Sequence, residues 1–168
     1  LGEEPTDDPV VAAFAEVRRT HDIPAAEVDA FVDAMQSDVD RDRYEDFAAL
    51  REYMRGSAAA VGHMMTAVMD PENPEAARSH AGALGEAFQL TNFVRDVRED
   101  VEDLGRVYLP QETLRRHDVT DADLRRESAT PELRDAVRAE LLRAEALYRE
   151  GVEGIGREAL ATELEARV

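Results

Sequence analysis

From Pro9 to Tyr148 the apolar residues recur at helical intervals and β-branched runs stay short, so the chain reads as helix throughout and leaves no stretch that could pair as a sheet. Abundant alanine reinforces that reading. Asp8-Pro9 is a capping residue followed by proline at the first helical position, predicting a helix to about Thr20. After Ile23-Pro24, the residues Val28, Phe31, Val32 and Met35 follow the i, i+3, i+4, i+7 spacing of a second buried face. A longer helix is predicted from Tyr44 to Met69, with Phe47, Leu50, Met54, Ala58, Val61, Met65 and Val68 inward, stopped by Asp70-Pro71. Pro74 opens a fourth helix to about Asp103, which Gly105 and Pro110 end. Two short pieces follow, from Pro110 to His117 and Thr120 to Arg126. Thr130-Pro131 then begins a helix that buries Leu133, Val137, Leu141, Ala144 and Tyr148. The glycine-rich tail from Gly151 to Val168 carries no clear pattern.

At 168 residues the chain is expected to form a single all-α domain with a sizeable core. Acidic residues number 38 against 20 basic ones, giving a net charge of −18 that repels nucleic acid and anionic surfaces. No nucleic-acid partner is expected. The absence of cysteine excludes disulfides, thiolate zinc sites and cysteine nucleophiles. No apolar run approaches the ~18 residues of a membrane span, and the N-terminal residues lack the features of a signal peptide. The expected location is therefore cytoplasmic.

The chemically informative stretch runs from Gly85 to Asp100. On a continuous helix, Gln89, Asn92, Asp96 and Asp100 fall within an arc of about 80°, while Leu90, Val94, Val97 and Val101 form a separate apolar stripe. Carboxylates one helical turn apart lie ~6 Å from each other, a spacing that suits a hard cation. Magnesium fits, because it takes a few carboxylates and completes its shell with water and phosphate oxygens. Acidic pairs at i, i+4 should nevertheless arise about eight times by chance in so acidic a chain, mostly as solvated surface. The pair alone is weak; its neighbours make it specific.

Those neighbours are Gln89-Leu-Thr-Asn92, Arg95 and Gly105-Arg-Val-Tyr-Leu-Pro110. Together they resemble the second aspartate-rich motif of the squalene and phytoene synthase family, which reads Q-L-x-N-x-x-R-D-x-x-x-D followed by G-R-x-Y-L-P. Tyr53-Met-Arg-Gly-Ser-Ala-Ala-Ala-Val-Gly62 is similar to the family's Y-C-x-x-V-A-G-x-V-G segment, and Asp8-Pro-Val, Ile23-Pro24 and Arg43-Tyr44 also lie where the family would have them. The lysine-free, acidic composition is similar to that of proteins from salt-accumulating archaea.

The resemblance implies an isoprenoid-synthase-type helical bundle and a magnesium-dependent prenyltransferase, with manganese as a substitute ion. It implies that Asn92, Asp96 and Asp100 hold the metal and that Gln89 lines the same mouth. Arg95, Arg106 and Tyr108 would contact the diphosphate, and Val61, Gly62 and Gly85 the prenyl chain. Tyr53 would act beside the reacting carbons, together with Asp96 and Asp100 as catalytic residues. An ordinary core tyrosine, surface ion pairs and close helix packing are the competing readings of Tyr53, the arginines and the glycines. His63 and Met64-Met65 read as packing residues.

The implied reaction joins two prenyl diphosphates head-to-head through a cyclopropylcarbinyl diphosphate. Two geranylgeranyl diphosphates giving phytoene are preferred, because Arg106-Val-Tyr-Leu-Pro110 is more similar to that branch. The rivals are a squalene or dehydrosqualene synthase, with NADPH needed only if squalene is made, and a noncatalytic helical binding module derived from the family. Peripheral contact with a membrane is compatible with a hydrocarbon product.

The match has gaps. The family's first acidic motif belongs upstream of the Asp8-Pro-Val helix, and Asp7 and Asp8 do not reproduce it. The family's last helices should extend past Val168, so the expectation is a central portion, incomplete at both ends. Arg55, Ser57 and Ala59 depart from the family pattern, and the Asp100–Arg106 interval is one residue longer than usual.

Overall fold

A computed structural model describes residues 7–153. Helix α1 covers Pro9–Thr20, and the Asp8 carboxylate caps it by accepting from the amides of Val10 (2.8 Å) and Val11 (3.1 Å). Helix α2 covers Ala25–Asp40. Helix α3, Phe47–Met54, runs through a π turn at Arg55–Ala59 into α4, Ala60–Met69, where Asp70 adopts the left-handed conformation before Pro71. Helix α5, Pro74–Arg95, starts from an Asn73 side-chain cap. Helices α6, Val97–Asp103, α7, Gln111–Arg116, and α8, Asp121–Leu124, are short, and α9 covers Pro131–Glu153. Thr130 accepts the Leu133 amide at 3.1 Å, the cap that Thr130-Pro131 predicts.

Among the described residues there is no strand, and an isolated bridge between Arg43 and Val107 ties two loops together. The Val107 amide donates to the Asp42 carbonyl at 2.8 Å and the Gln111 amide to the Tyr44 carbonyl at 2.9 Å. Helix α5 is the hub of the bundle, packed against α4, the π turn and α9. One apolar cluster joins Leu50, Tyr53, Met54, Leu90, Phe93 and Leu147; a second joins Val101, Val107, Leu109, Leu114, Leu124 and Leu133. Each fully buried leucine of this kind contributes roughly 2 kcal/mol of transfer free energy.

The structure departs from the sequence pattern at five places. On α2, Val32 and Met35 are exposed, and the buried face is Glu27, Val28 and Ala34. Glu27 is tolerated inside because Arg55, His63 and Arg78 all converge on its carboxylate. Tyr44 is buried but lies in the loop before α3.

The π turn absorbs one extra residue, which shifts the inward set of α4 by one position relative to an uninterrupted α-helix. Ala59 and Thr66 are therefore buried, whereas Val61 is 39% and Met65 48% exposed, and Val68 is only partly covered. The fourth predicted helix breaks at Asp96, whose backbone (φ −101°, ψ 13°) separates α5 from α6. On α9, Leu141 is exposed and Glu140 is buried instead, accepting from Thr113 Oγ1 and Arg143 Nη1, both at 2.7 Å. Val137 and Tyr148 are partly buried. Beyond Glu153, the predicted tail lies outside the described residues.

Candidate active site

The C-terminal third of α5 is two-faced. Leu90 and Phe93 are buried in the core, while Gln89 and Asn92 remain partly exposed. The break at Asp96 does not scatter the row. The Asp96 amide still donates to the Asn92 carbonyl (2.9 Å), and the Asp100 amide to the Asp96 carbonyl (2.8 Å). Those two turn-spaced bonds carry Asn92, Asp96 and Asp100 across the break in helical succession. The apolar stripe behind them follows the sequence reading, with Leu90 and Val101 buried and Val94 and Val97 packed on the second cluster.

The two carboxylates are in different electrostatic states. Asp96 is clamped by its neighbour, with Arg95 Nε on Oδ1 and Nη2 on Oδ2, both at 2.6 Å, and this pair holds its carboxyl below the usual range. Asp100 is pushed up to about 6 by burial first, then by the negative charges of Asp96 and Glu99; Arg106 offsets only part of this. Acidic pressure of this kind is relieved by a cation. Among the described residues no group of three or more His, Cys, Asp or Glu side chains is placed to hold a metal ion by itself. Two carboxylates and an amide leave most of the shell to other ligands, which is how magnesium binds beside diphosphates. The donor set fits that ion.

The second feature is an aromatic stack. Phe93 and Tyr108 lie with ring centroids 4.1 Å apart, and Tyr53 sits 5.9 Å from Tyr108, 6.3 Å from Phe93 and 5.3 Å from Tyr44. All four rings are buried. Burial pushes the Tyr53 phenol up to about 12, and the nearby Asp38 carboxylate adds to the shift. The phenols of Tyr44 and Tyr108 are raised still further by burial.

Asp38 anchors this stack. Its Oδ1 accepts the Tyr108 hydroxyl at 2.9 Å and its Oδ2 accepts Arg106 Nη1 at 2.8 Å, while its carbonyl accepts Arg106 Nη2 at 2.5 Å. Gly105, with φ +68°, turns the chain so that the Arg106 amide reaches back to the Asp100 carbonyl at 2.9 Å. Arg106 thus touches both the metal row and α2. The sequence reading missed Asp38, Tyr44 and Phe93. Asp38 lies among Asp33, Asp40 and Asp42, where the density of acids hides any single one, although Tyr44 and Phe93 belong to segments it did quote.

The remaining residues named from sequence divide between wall and packing. Val61, Met65 and Met69 recur every fourth residue on α4 and form an exposed apolar stripe. Gly62 and Gly85 serve helix contact: a Cβ at Gly62 would lie 2.3 Å from the Ala81 carbonyl oxygen, and one at Gly85 2.6 Å from that of Ala58. His63 is an ion-pair partner of Glu27, Nδ1 to Oε2 at 3.0 Å, and not a packing residue. A groove of 590 Å³ between α2 and the α3–π segment has Tyr53 in its wall, with Ser37, Arg41, Glu52 and Arg55; Asn92, Asp96 and Asp100 do not line it. No helix among the described residues is long and apolar enough to cross a membrane.

Comparison with known proteins gives a consistent answer. The family model described as squalene/phytoene synthase matches residues 2–167. The phytoene synthase of Thermus thermophilus is 46% identical over 110 residues, 65% of this chain and 37% of that protein. The chloroplastic phytoene synthase of Daucus carota is 34% identical over 149 residues, 86% of this chain and 37% of that protein. A crystal structure of a dehydrosqualene synthase in complex with ligand superimposes with a TM-score of 0.81 at 32% identity, covering 88% of this chain and 52% of that one. The squalene synthase of Alicyclobacillus acidocaldarius gives 0.74 at 28% identity, covering 98% and 71%. The chain spans about a third of the length of the curated relatives it matches. On the match across nearly its whole length, with the helical fold shared by those solved relatives, the chain belongs to the squalene/phytoene synthase family.

Proposed function

We propose that the chain carries half of the active site of a prenyltransferase that joins two prenyl diphosphates head-to-head, with geranylgeranyl diphosphate as substrate and phytoene as product. The observation that carries this reading is the row Asn92–Asp96–Asp100, with its raised Asp100, which runs from the last turn of α5 across the break into α6. The phytoene synthases among its relatives support the choice of substrate.

Asn92, Asp96 and Asp100 would hold magnesium, which would neutralise charge on a departing diphosphate and fix its position. Arg95 spans Asp96 with two hydrogen bonds, so magnesium held by that carboxylate would leave the guanidinium available to a phosphate oxygen. Val61, Met65 and Met69 offer an apolar wall of the kind that shields an allylic cation from water. With its phenol held near 12, Tyr53 stays protonated at neutral pH. It acts there as a hydroxyl donor and an electron-rich ring, not as a phenolate base. Gln89 would line the mouth of the site, and peripheral contact with a membrane would release the hydrocarbon.

Incubation with geranylgeranyl diphosphate and magnesium in concentrated salt tests the reading. Phytoene formation that disappears in Asp96→Asn supports it. Failure both to turn over and to bind an unreactive geranylgeranyl thiodiphosphate with magnesium contradicts it. The similarity to a dehydrosqualene synthase structure favours a second reading with farnesyl diphosphate, and a C30 product in a parallel incubation would select it.

A further inference from the structure

We propose that Asp38 is a positioning residue of this site, holding the Arg106 guanidinium where its free edge meets the substrate diphosphate. This rests on the diphosphate reading above and adds to it a residue from α2, outside both sequence segments that define the site. Asp38 is the point where two site residues meet through three contacts. Its carboxylate takes the Tyr108 hydroxyl on one oxygen and Arg106 on the other, and its carbonyl takes a second Arg106 nitrogen. A guanidinium offers five N–H donors in a rigid plane, and Asp38 occupies only two of its nitrogens.

Two further bonds fix where that plane lies. The Arg106 amide is pinned to the Asp100 carbonyl, which holds the backbone of Arg106 beside the acidic row. Tyr108 is stacked on Phe93, one residue from Asn92, so the acceptor that orients Arg106 is itself held by the ring packed behind the row. Arg106 is mostly buried and pairs with Asp38 through both side chain and backbone. Arg95, by contrast, is largely exposed and held only by its sequence neighbour. The two arginines therefore divide the work: Arg95 is exposed and would be released from Asp96 by a cation, whereas Arg106 is preset by Asp38. Presetting lowers the ordering cost of binding.

The test uses magnesium pyrophosphate as probe, titrated calorimetrically into the wild-type chain and into Asp38→Asn, Arg106→Ala and the double variant. Asparagine keeps an acceptor for Tyr108 but loses the charge that holds Arg106. The expected result is at least tenfold weaker binding in each single variant, with the double variant no weaker than Arg106→Ala. Unchanged binding in Asp38→Asn, or losses that multiply in the double variant, overturn the proposal. A wild-type chain that binds no magnesium pyrophosphate overturns the diphosphate reading and the part Arg106 plays in it. Absorbance titration of the phenols then reads Asp38 separately. Asp38→Asn should move phenolate formation to lower pH than wild type if the carboxylate governs Tyr108, and an unchanged curve removes Asp38 from the site altogether.

Discussion

Glu27 and Asp100 are both carboxylates drawn away from water on helices of the same bundle, yet their surroundings treat them in opposite ways. Glu27, 1% exposed on α2, receives Arg55 from the π turn, His63 from α4 and Arg78 from α5. Burial pushes its carboxyl up, but Arg55 and His63 more than offset that, and the net direction is down. Asp100 is more accessible to solvent, yet burial first, then the charges of Asp96 and Glu99, push its carboxyl up to about 6. The first charge is neutralised from within the chain; the second sits beside two like charges that Arg106 only partly offsets. A buried acid is therefore informative about ligands only once its internal partners have been counted.

Removing Glu27 should give the largest effect. Glu27→Ala leaves two arginines and the His63 ring without their acceptor and is expected to cost about 3 kcal/mol, read from the urea midpoint; the half-exposed arginines keep it at the low end for a buried pair. A loss below about 1 kcal/mol would show that the cluster is ornamental and would break the contrast. Asp96→Asn should leave stability nearly unchanged and weaken magnesium pyrophosphate binding by about a hundredfold, as expected for loss of a ligand.

Asp100→Asn sharpens the comparison through pH. Because the folded carboxyl lies above its ordinary 3.8, the protonated form favours folding below about pH 4, and that contribution is lost as pH rises through 6. The metal-free variant should therefore be more stable than wild type by about 1–2 kcal/mol at pH 8 and lose this advantage below pH 4, in parallel thermal melts. Glu27 runs the other way: its cluster contributes above the ordinary carboxyl range and weakens as acid protonates it. The smallest effect belongs to the exposed stripe. Met65→Ala should change stability by no more than about 0.5 kcal/mol, whereas Leu50→Ala, fully buried, should cost about 3 kcal/mol.

The sequence announces the helices because capping residues and helical periodicity are local signals, and Asp8 and Thr130 act as caps where expected. It also places Asn92, Asp96 and Asp100 in one row, since a row depends on turn spacing alone. What it hides depends on three dimensions. The extra residue in the Arg55–Ala59 turn leaves no mark in the periodicity, so Val61 and Met65 read as core when they are surface. Glu27 and Glu140 take Arg55 and Thr113 from other elements, contacts that turn spacing along one helix does not reveal. Asp38 is invisible for the same reason: Arg106 and Tyr108 lie 68 and 70 residues away along the chain.

The claim that Asp100 is an acid held ready for a metal can be measured directly by carboxyl NMR of the chain with and without magnesium. The account expects the Asp100 carboxyl to titrate near pH 6 without metal and to fall below 4 when magnesium is added, with a smaller response in Asp96→Asn. Titration in the ordinary range without metal, or a curve that magnesium does not move, would contradict it.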